Sequence, residues 1–119
     1  MYYFIKITKK MDVEIVATDD YDYESLAALI DCDYIEHVRI TKLETSPAIC
    51  FIVDEEGALK KDRELNPLAT SLYGADIYGD VLIAFDGINE YGYRDVMPLS
   101  EKMATSLYDM FTEVLQDLE

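Results

Sequence analysis

The chain has 119 residues, half of them apolar, and sets 25 Asp and Glu against 10 Lys and Arg for a formal charge of −15. That length and apolar content fit one folded domain and exclude wholesale disorder. A field of this sign repels nucleic acid and anionic bilayers and attracts cationic surfaces, so a direct nucleic-acid or membrane-surface binder is not expected.

The acids come in two blocks. Residues 19–36 hold seven acids and no base, and residues 66–119 hold ten acids against Arg94 and Lys102. The stretch between them is nearly balanced, with five bases and six acids over residues 37–65. No apolar run reaches the roughly 18 residues of a membrane-spanning helix. The opening Met1-Tyr2-Tyr3-Phe4-Ile5-Lys6 reads as a strand and not as a signal peptide, so a cytoplasmic protein with Cys32 and Cys50 reduced is expected.

Tyr2 to Thr8 alternates with Tyr3, Ile5 and Ile7 on one face, and Val13 to Thr18 alternates through Val13, Ile15 and Ala17. Period-two patterns of this length predict strands, joined here by a turn at Lys9-Lys10-Met11-Asp12. Asp22 is placed to cap a helix over 23–30 whose inward stripe is Leu26, Leu29 and Ile30. A strand follows from Tyr34 to Leu43, with Val38 and Ile40 on one face. Ala48 to Val53 is apolar throughout, as a central strand would be, and Asp54-Glu55-Glu56-Gly57 ends it in a turn.

The second helix has both ends marked: Asn66 as N-cap, Pro67 at the first helical position and Gly74 after the last turn. Val81 to Phe85 is a further strand, and 86–95 with Gly87, Asn89 and Gly92 is a loop or loose hairpin. Ser100 caps the longest helix, which runs to about Leu118, with Leu99 set to staple against Ala104. Its expected inward stripe is Met103, Leu107, Met110, Phe111, Val114 and Leu118. The predicted fold is a single α+β domain: a mostly antiparallel sheet of about five strands, packed by two shorter helices and the long C-terminal one.

The chemistry-bearing residues form no recognisable catalytic pattern. Asp20-x-Asp22-x-Glu24, with Asp31 in the twelfth place, resembles the start of a calcium loop, but Ser25 holds the sixth place, where the turn needs Gly. Helix capping by Asp22 accounts for the same residues. His37 is the one histidine and supports no two-His or His-Cys metal set. Asp54, Glu55 and Glu56 are neighbouring carboxylates in a turn, and the glycines match neither phosphate-loop nor dinucleotide spacing. The reading therefore expects no enzyme, cofactor or metal.

What remains is surface. Asp109, Glu113 and Asp117 recur every four residues on the last helix, one carboxylate per step of roughly 6 Å. Such a row is of the same order of spacing as a phosphate strand, and could occupy a groove that is basic because it binds nucleic acid. Tyr91 and Tyr93, with Asp95, lie in the loop after the fifth strand, where tyrosine offers large rigid contact area with a polar end. Asp19, Asp20 and Asp22 make a third acidic group. These nine residues are the expected partner contacts. The expected partner is a basic protein surface, such as that of a nuclease; the alternative is a small accessory domain that self-associates or binds another protein.

Three segments, Ile52-Val53-Asp54-Glu55-Glu56-Gly57-Ala58-Leu59, Asn66-Pro67-Leu68-Ala69-Thr70-Ser71-Leu72-Tyr73 and Ile77-Tyr78-Gly79-Asp80-Val81-Leu82-Ile83, keep a recognisable order and spacing, and Tyr34-Ile35-Glu36 adds to them. Over roughly residues 32–85 the chain resembles a family of small proteins described as a domain of unknown function, found in phages, plasmids and bacterial mobile elements. The resemblance brings no activity and no site residues. It implies the company of mobile elements, which often carry inhibitors of host defence. The last helix and the loop at 86–95 are expected to lie outside the shared part.

Overall fold

The computed structural model describes residues 1–40 and 48–118, the side chain of Leu118 excepted. Strands β1 (Tyr2–Ile7) and β2 (Val13–Thr18) form the expected opening hairpin. Helix α1 (Tyr23–Leu29) follows, then β3 (Ile35–Arg39) and β4 (Ile49–Asp54). The portion of the expected third strand at 41–43 lies outside the described residues. A single 3-10 turn (Gly57–Leu59) leads to α2 (Pro67–Tyr73). The chain closes with β5 (Val81–Ile88), β6 (Arg94–Met97) and α3 (Glu101–Leu118).

All strand pairings are antiparallel, in the order β2-β1-β5-β4-β3. β5 is longer than its apolar run: it continues through Asp86, Gly87 and Ile88 to pair with β6. The loose hairpin expected at 86–95 is thus half strand and half turn. Along one edge of β5, β1 pairs with Val81–Ile83 and β6 with Phe85–Ile88, and a Tyr3–Leu99 bridge joins the chain after β6 to β1.

The sheet is covered on both faces. On one, Ile5, Ile7, Phe51, Val53 and Ile83 pack under α2 and α3 through Leu68, Ala69, Ala104, Leu107 and Phe111. On the other, Phe4, Cys50, Ile52, Leu82 and Ala84 pack under Leu26 and Ile30 of α1. Side chains of this size contribute about 1.5–3 kcal/mol each on full burial, so the central strands carry most of the stability. Two expectations need correcting. Met110 does not point inward: it is 37% exposed at the border of a stripe centred on Ala104, Leu107 and Phe111. Ile15 is on the expected face but 40% exposed, because β2 is the outer strand of the sheet among the described residues.

The helix ends follow the capping signals. Asp22 accepts from Ser25 N at 2.8 Å, and Asn66 Oδ1 accepts from Ala69 N at 3.1 Å. Gly74 closes α2 in the left-handed region at φ 91°, which glycine enters without a Cβ clash. Ser100 Oγ accepts from Met103 N at 3.1 Å at the start of α3. No helix among the described residues is long and apolar enough to cross a membrane.

Candidate functional site

Most of the segments that carry the family resemblance converge at one end of the sheet, where several of their side chains have local partners. The Asn66 amide is fully buried and donates to Ile7 O at 3.0 Å and Gly79 O at 2.8 Å. Asp80 accepts from Lys9 N at 3.0 Å and lies 3.9 Å from Lys6 Nζ. Asp54 accepts from Glu56 N at 2.9 Å and is ion-paired with Lys60 at 2.6 Å, which holds the Lys60 ammonium above its usual pKa. The Arg63 guanidinium stacks over the Tyr78 ring at 5.2 Å. Gly57 is buried against Tyr78, where an added Cβ would sit 3.3 Å from the Tyr78 carbonyl oxygen. These motifs lock the crossing from β4 through α2 into β5. The recess among them measures only about 140 Å³.

The acidic residues have a different setting. Asp109, Glu113 and Asp117 are exposed along α3, as the four-residue spacing requires. Asp19, Asp20, Asp22 and Asp95 are exposed as well. None of these seven is ion-paired among the described residues. The bases instead pair with other acids: Lys6 with Asp80, Lys9 with Glu64, Lys60 with Asp54, and Arg39 and Arg94 with Asp86. The Asp22 carboxyl is held below its ordinary pKa, first by the Ser25 hydroxyl and then by the Ser25 amide. Asp20 accepts from Tyr21 N at 2.8 Å, so the segment that resembled a calcium loop is a turn leading into a capped helix.

The nine residues do not form one patch. The α3 row lies over one sheet face, whereas Asp20 and Asp22 line a cleft of about 590 Å³ on the other; Asp95 borders that cleft, but as the register partner of Gly87 it carries its carboxylate on the opposite face from Val96. The cleft exists because α1 is two turns long and leaves part of that face open. Its floor is Leu26, Ile52 and Val96; Tyr21 and Tyr23 form a wall; Glu36 and His37 come from β3. Tyr91 and Tyr93 stand apart at the β5–β6 hairpin tip, 76% and 71% exposed. Their backbone N–H groups both donate to Asn89 Oδ1, at 3.0 and 3.1 Å, which fixes the turn that presents them.

Sequence reasoning missed the cleft, and it missed Asp86. That side chain is only 4% exposed, with Arg94 at 2.9 Å and Arg39 at 3.9 Å on its Oδ2. The signal was there in part, since Asp86 directly continues the apolar run of β5. Both thiols are deactivated: burial, with the Asp54 charge second, pushes Cys32 up to about 11, and burial, with Asp86 second, pushes Cys50 to about 12. Among the described residues no group of His, Cys, Asp and Glu is arranged to hold a metal ion.

A family model described as Domain of unknown function (DUF3846) matches residues 2–112. The chain belongs to that family. The match is wider than the expected 32–85 and takes in the β5–β6 hairpin, Asp95 and Asp109, which were expected to fall outside it; Glu113 and Asp117 lie beyond its end. No curated protein and no solved structure matches the chain. In this DUF3846 domain the hairpin with Tyr91 and Tyr93 therefore lies inside the matched region.

Proposed function

We propose that this DUF3846 protein is a non-enzymatic binding protein that docks against a cationic protein surface, using its unpaired carboxylates as a substitute for nucleic-acid phosphates. The observation that carries the reading is that none of the seven nominated acids is ion-paired among the described residues. Half of the chain's ten bases are tied to Asp54, Glu64, Asp80 and Asp86, so they do not screen the α3 row or the acids beside the cleft. Asp109, Glu113 and Asp117 sit on a rigid 18-residue helix, so their spacing is set before a partner arrives. Proteins that bind nucleic acid non-specifically present basic grooves in which the phosphate term dominates affinity, and a rigid acidic row meets the same groove by the same attraction.

The resemblance to families of mobile elements supports a finer reading, in which the partner is a host nuclease or another nucleic-acid-binding defence protein that the domain inhibits. The test is capture from host lysate on immobilised protein, at rising salt and with duplex DNA as competitor. Nucleic-acid-binding proteins should be retained at low salt and displaced by DNA. Retention of none would remove the proposal.

A second reading, an accessory domain that self-associates, is favoured by one feature: Ile15 is exposed on β2, the edge strand of the described sheet. Sedimentation over a wide concentration range decides it, since a monomer throughout rules that reading out.

A further inference from the structure

The fold leaves one edge of its sheet unguarded, at β2. In an antiparallel ladder, facing residues alternate between pairs that exchange backbone hydrogen bonds and pairs that turn those groups away. Thr8 N donates to Asp12 O at 2.9 Å, one place beyond the Ile7–Val13 pair, so Lys6–Glu14, Phe4–Val16 and Tyr2–Thr18 are the bonded pairs. Val13, Ile15 and Ala17 therefore each turn an N–H and a C=O outward, and β2 is the outer strand of the described sheet. Ile15 and Ala17 are exposed, so that row is open to solvent.

Exposed edges are normally guarded by a lysine, a proline, a bulge or a covering group. β2 reads Val-Glu-Ile-Val-Ala-Thr, with no Lys or Pro, and its register with β1 runs without a bulge. β3, the outer strand at the opposite end of the sheet, is guarded: the Tyr23 hydroxyl accepts from Ile35 N at 2.8 Å, and Arg39 ends the strand. The surroundings of β2 select the occupant. Asp12, Glu14, Asp19 and Asp20 lie in the strand or within two residues of it, all four are exposed, and none is ion-paired among the described residues. No Lys or Arg falls in residues 11–38. A second copy would bring a further charge of −15 to this edge. A strand with apolar residues between basic ends meets both the outward backbone groups and the carboxylates around them.

We propose that β2 takes up an extended, lysine- or arginine-bearing segment of the partner protein as an added strand of the sheet. The inference rests on the reading that the partner is cationic, and it adds the place of contact and the bound conformation. The test uses the full chain and a blocked peptide, N-acetyl-Lys-Thr-Val-Thr-Val-Lys amide, followed by NMR and amide exchange. One control carries Glu in place of both lysines, and another is methylated at every valine and threonine amide nitrogen. The lysine peptide should bind saturably at millimolar concentration and slow exchange at the Val13, Ile15 and Ala17 amides, and both controls should bind at least about tenfold more weakly.

Ile15→Pro removes an outward N–H that β1 does not use, and Ala17→Lys puts a charge on the edge at an exposed position. Each should weaken the lysine peptide by about tenfold. Equal binding of the lysine and glutamate peptides, exchange protection centred outside β2, or no saturable binding would overturn the assignment. So would protection of the β2 amides that grows with protein concentration in the absence of peptide, because a second copy would then occupy the edge. Any of those results leaves lysate capture through the α3 row standing. Loss of lysate capture with intact peptide binding would instead sink the wider reading and spare this one.

Discussion

Replacing Asn66 with Ala tests whether the family's motif residues serve the fold or a ligand. Asn66 is fully buried and makes three bonds: Ala69 N to its oxygen at 3.1 Å, and its amide to Ile7 O at 3.0 Å and Gly79 O at 2.8 Å. Losing the cap costs about 1 kcal/mol. Each buried carbonyl left without a donor costs about 1 kcal/mol more, so the total is about 3 kcal/mol. Against a domain stability of about 5–15 kcal/mol this is a large fraction, and the melting temperature should fall by on the order of 10 °C. Urea titration gives the free energy directly. Asn66→Ser keeps a capping oxygen and should recover about 1 kcal/mol of the loss. A loss below about 1 kcal/mol for Ala would refute the structural account of these motifs.

Three further outcomes follow from the same geometry. Asp22→Ala should fray α1, seen as faster hydrogen exchange at Ser25 and Leu26. In the parent chain the carboxyl pKa is lowered by folding, so its support is full above the unfolded value near about 3.9 and is lost as pH falls through the lower folded value. Alkylation of Cys32 in the native protein at pH 8 should run about a hundredfold slower than in the unfolded chain, because folding raises its pKa from 9.0 to about 11; equal rates would show that the thiol is not desolvated. Tyr91→Ala with Tyr93→Ala should leave the urea midpoint unchanged, since both rings are exposed, and should weaken partner capture by about tenfold or more if the tip is a contact anchor. Unchanged capture would remove the tip from the interface.

Local signals were legible where one short segment decides its own geometry. Asn66, Pro67 and Gly74 define α2 because an N-cap, a missing N–H and a left-handed residue each have one natural place in a helix. Asp22 and the carboxylate row of α3 were legible for the same reason. The inward stripe of α3 was drawn too wide, since spacing alone does not say where the sheet ends, and Met110 hangs past that limit.

The cleft could not be read from the chain. It is assembled from residues 20–23, 26, 35–37, 52 and 95–96, and each of those segments looks like an ordinary turn, helix or strand by itself. It also depends on α1 ending after two turns, where Asp31 turns the chain at φ 54°. Asp86 was placed at the start of a loop or loose hairpin on the strength of Gly87, Asn89 and Gly92; the hairpin is present, but its first strand does not stop at Phe85. Instead β5 continues, and Arg94 from the paired strand β6 and Arg39 from β3, one strand beyond β4, cover the charge.

The most direct test of acid-mediated docking is the salt dependence of capture for the parent chain and for Asp109→Asn with Glu113→Gln and Asp117→Asn. These side chains are exposed and not ion-paired among the described residues, so the substitutions should leave the fold intact. The account predicts that the parent binds a nucleic-acid-binding partner with affinity that falls steeply as salt rises, and that the triple variant binds more weakly with a flatter dependence. Equal affinity and equal slope for the two proteins would contradict it.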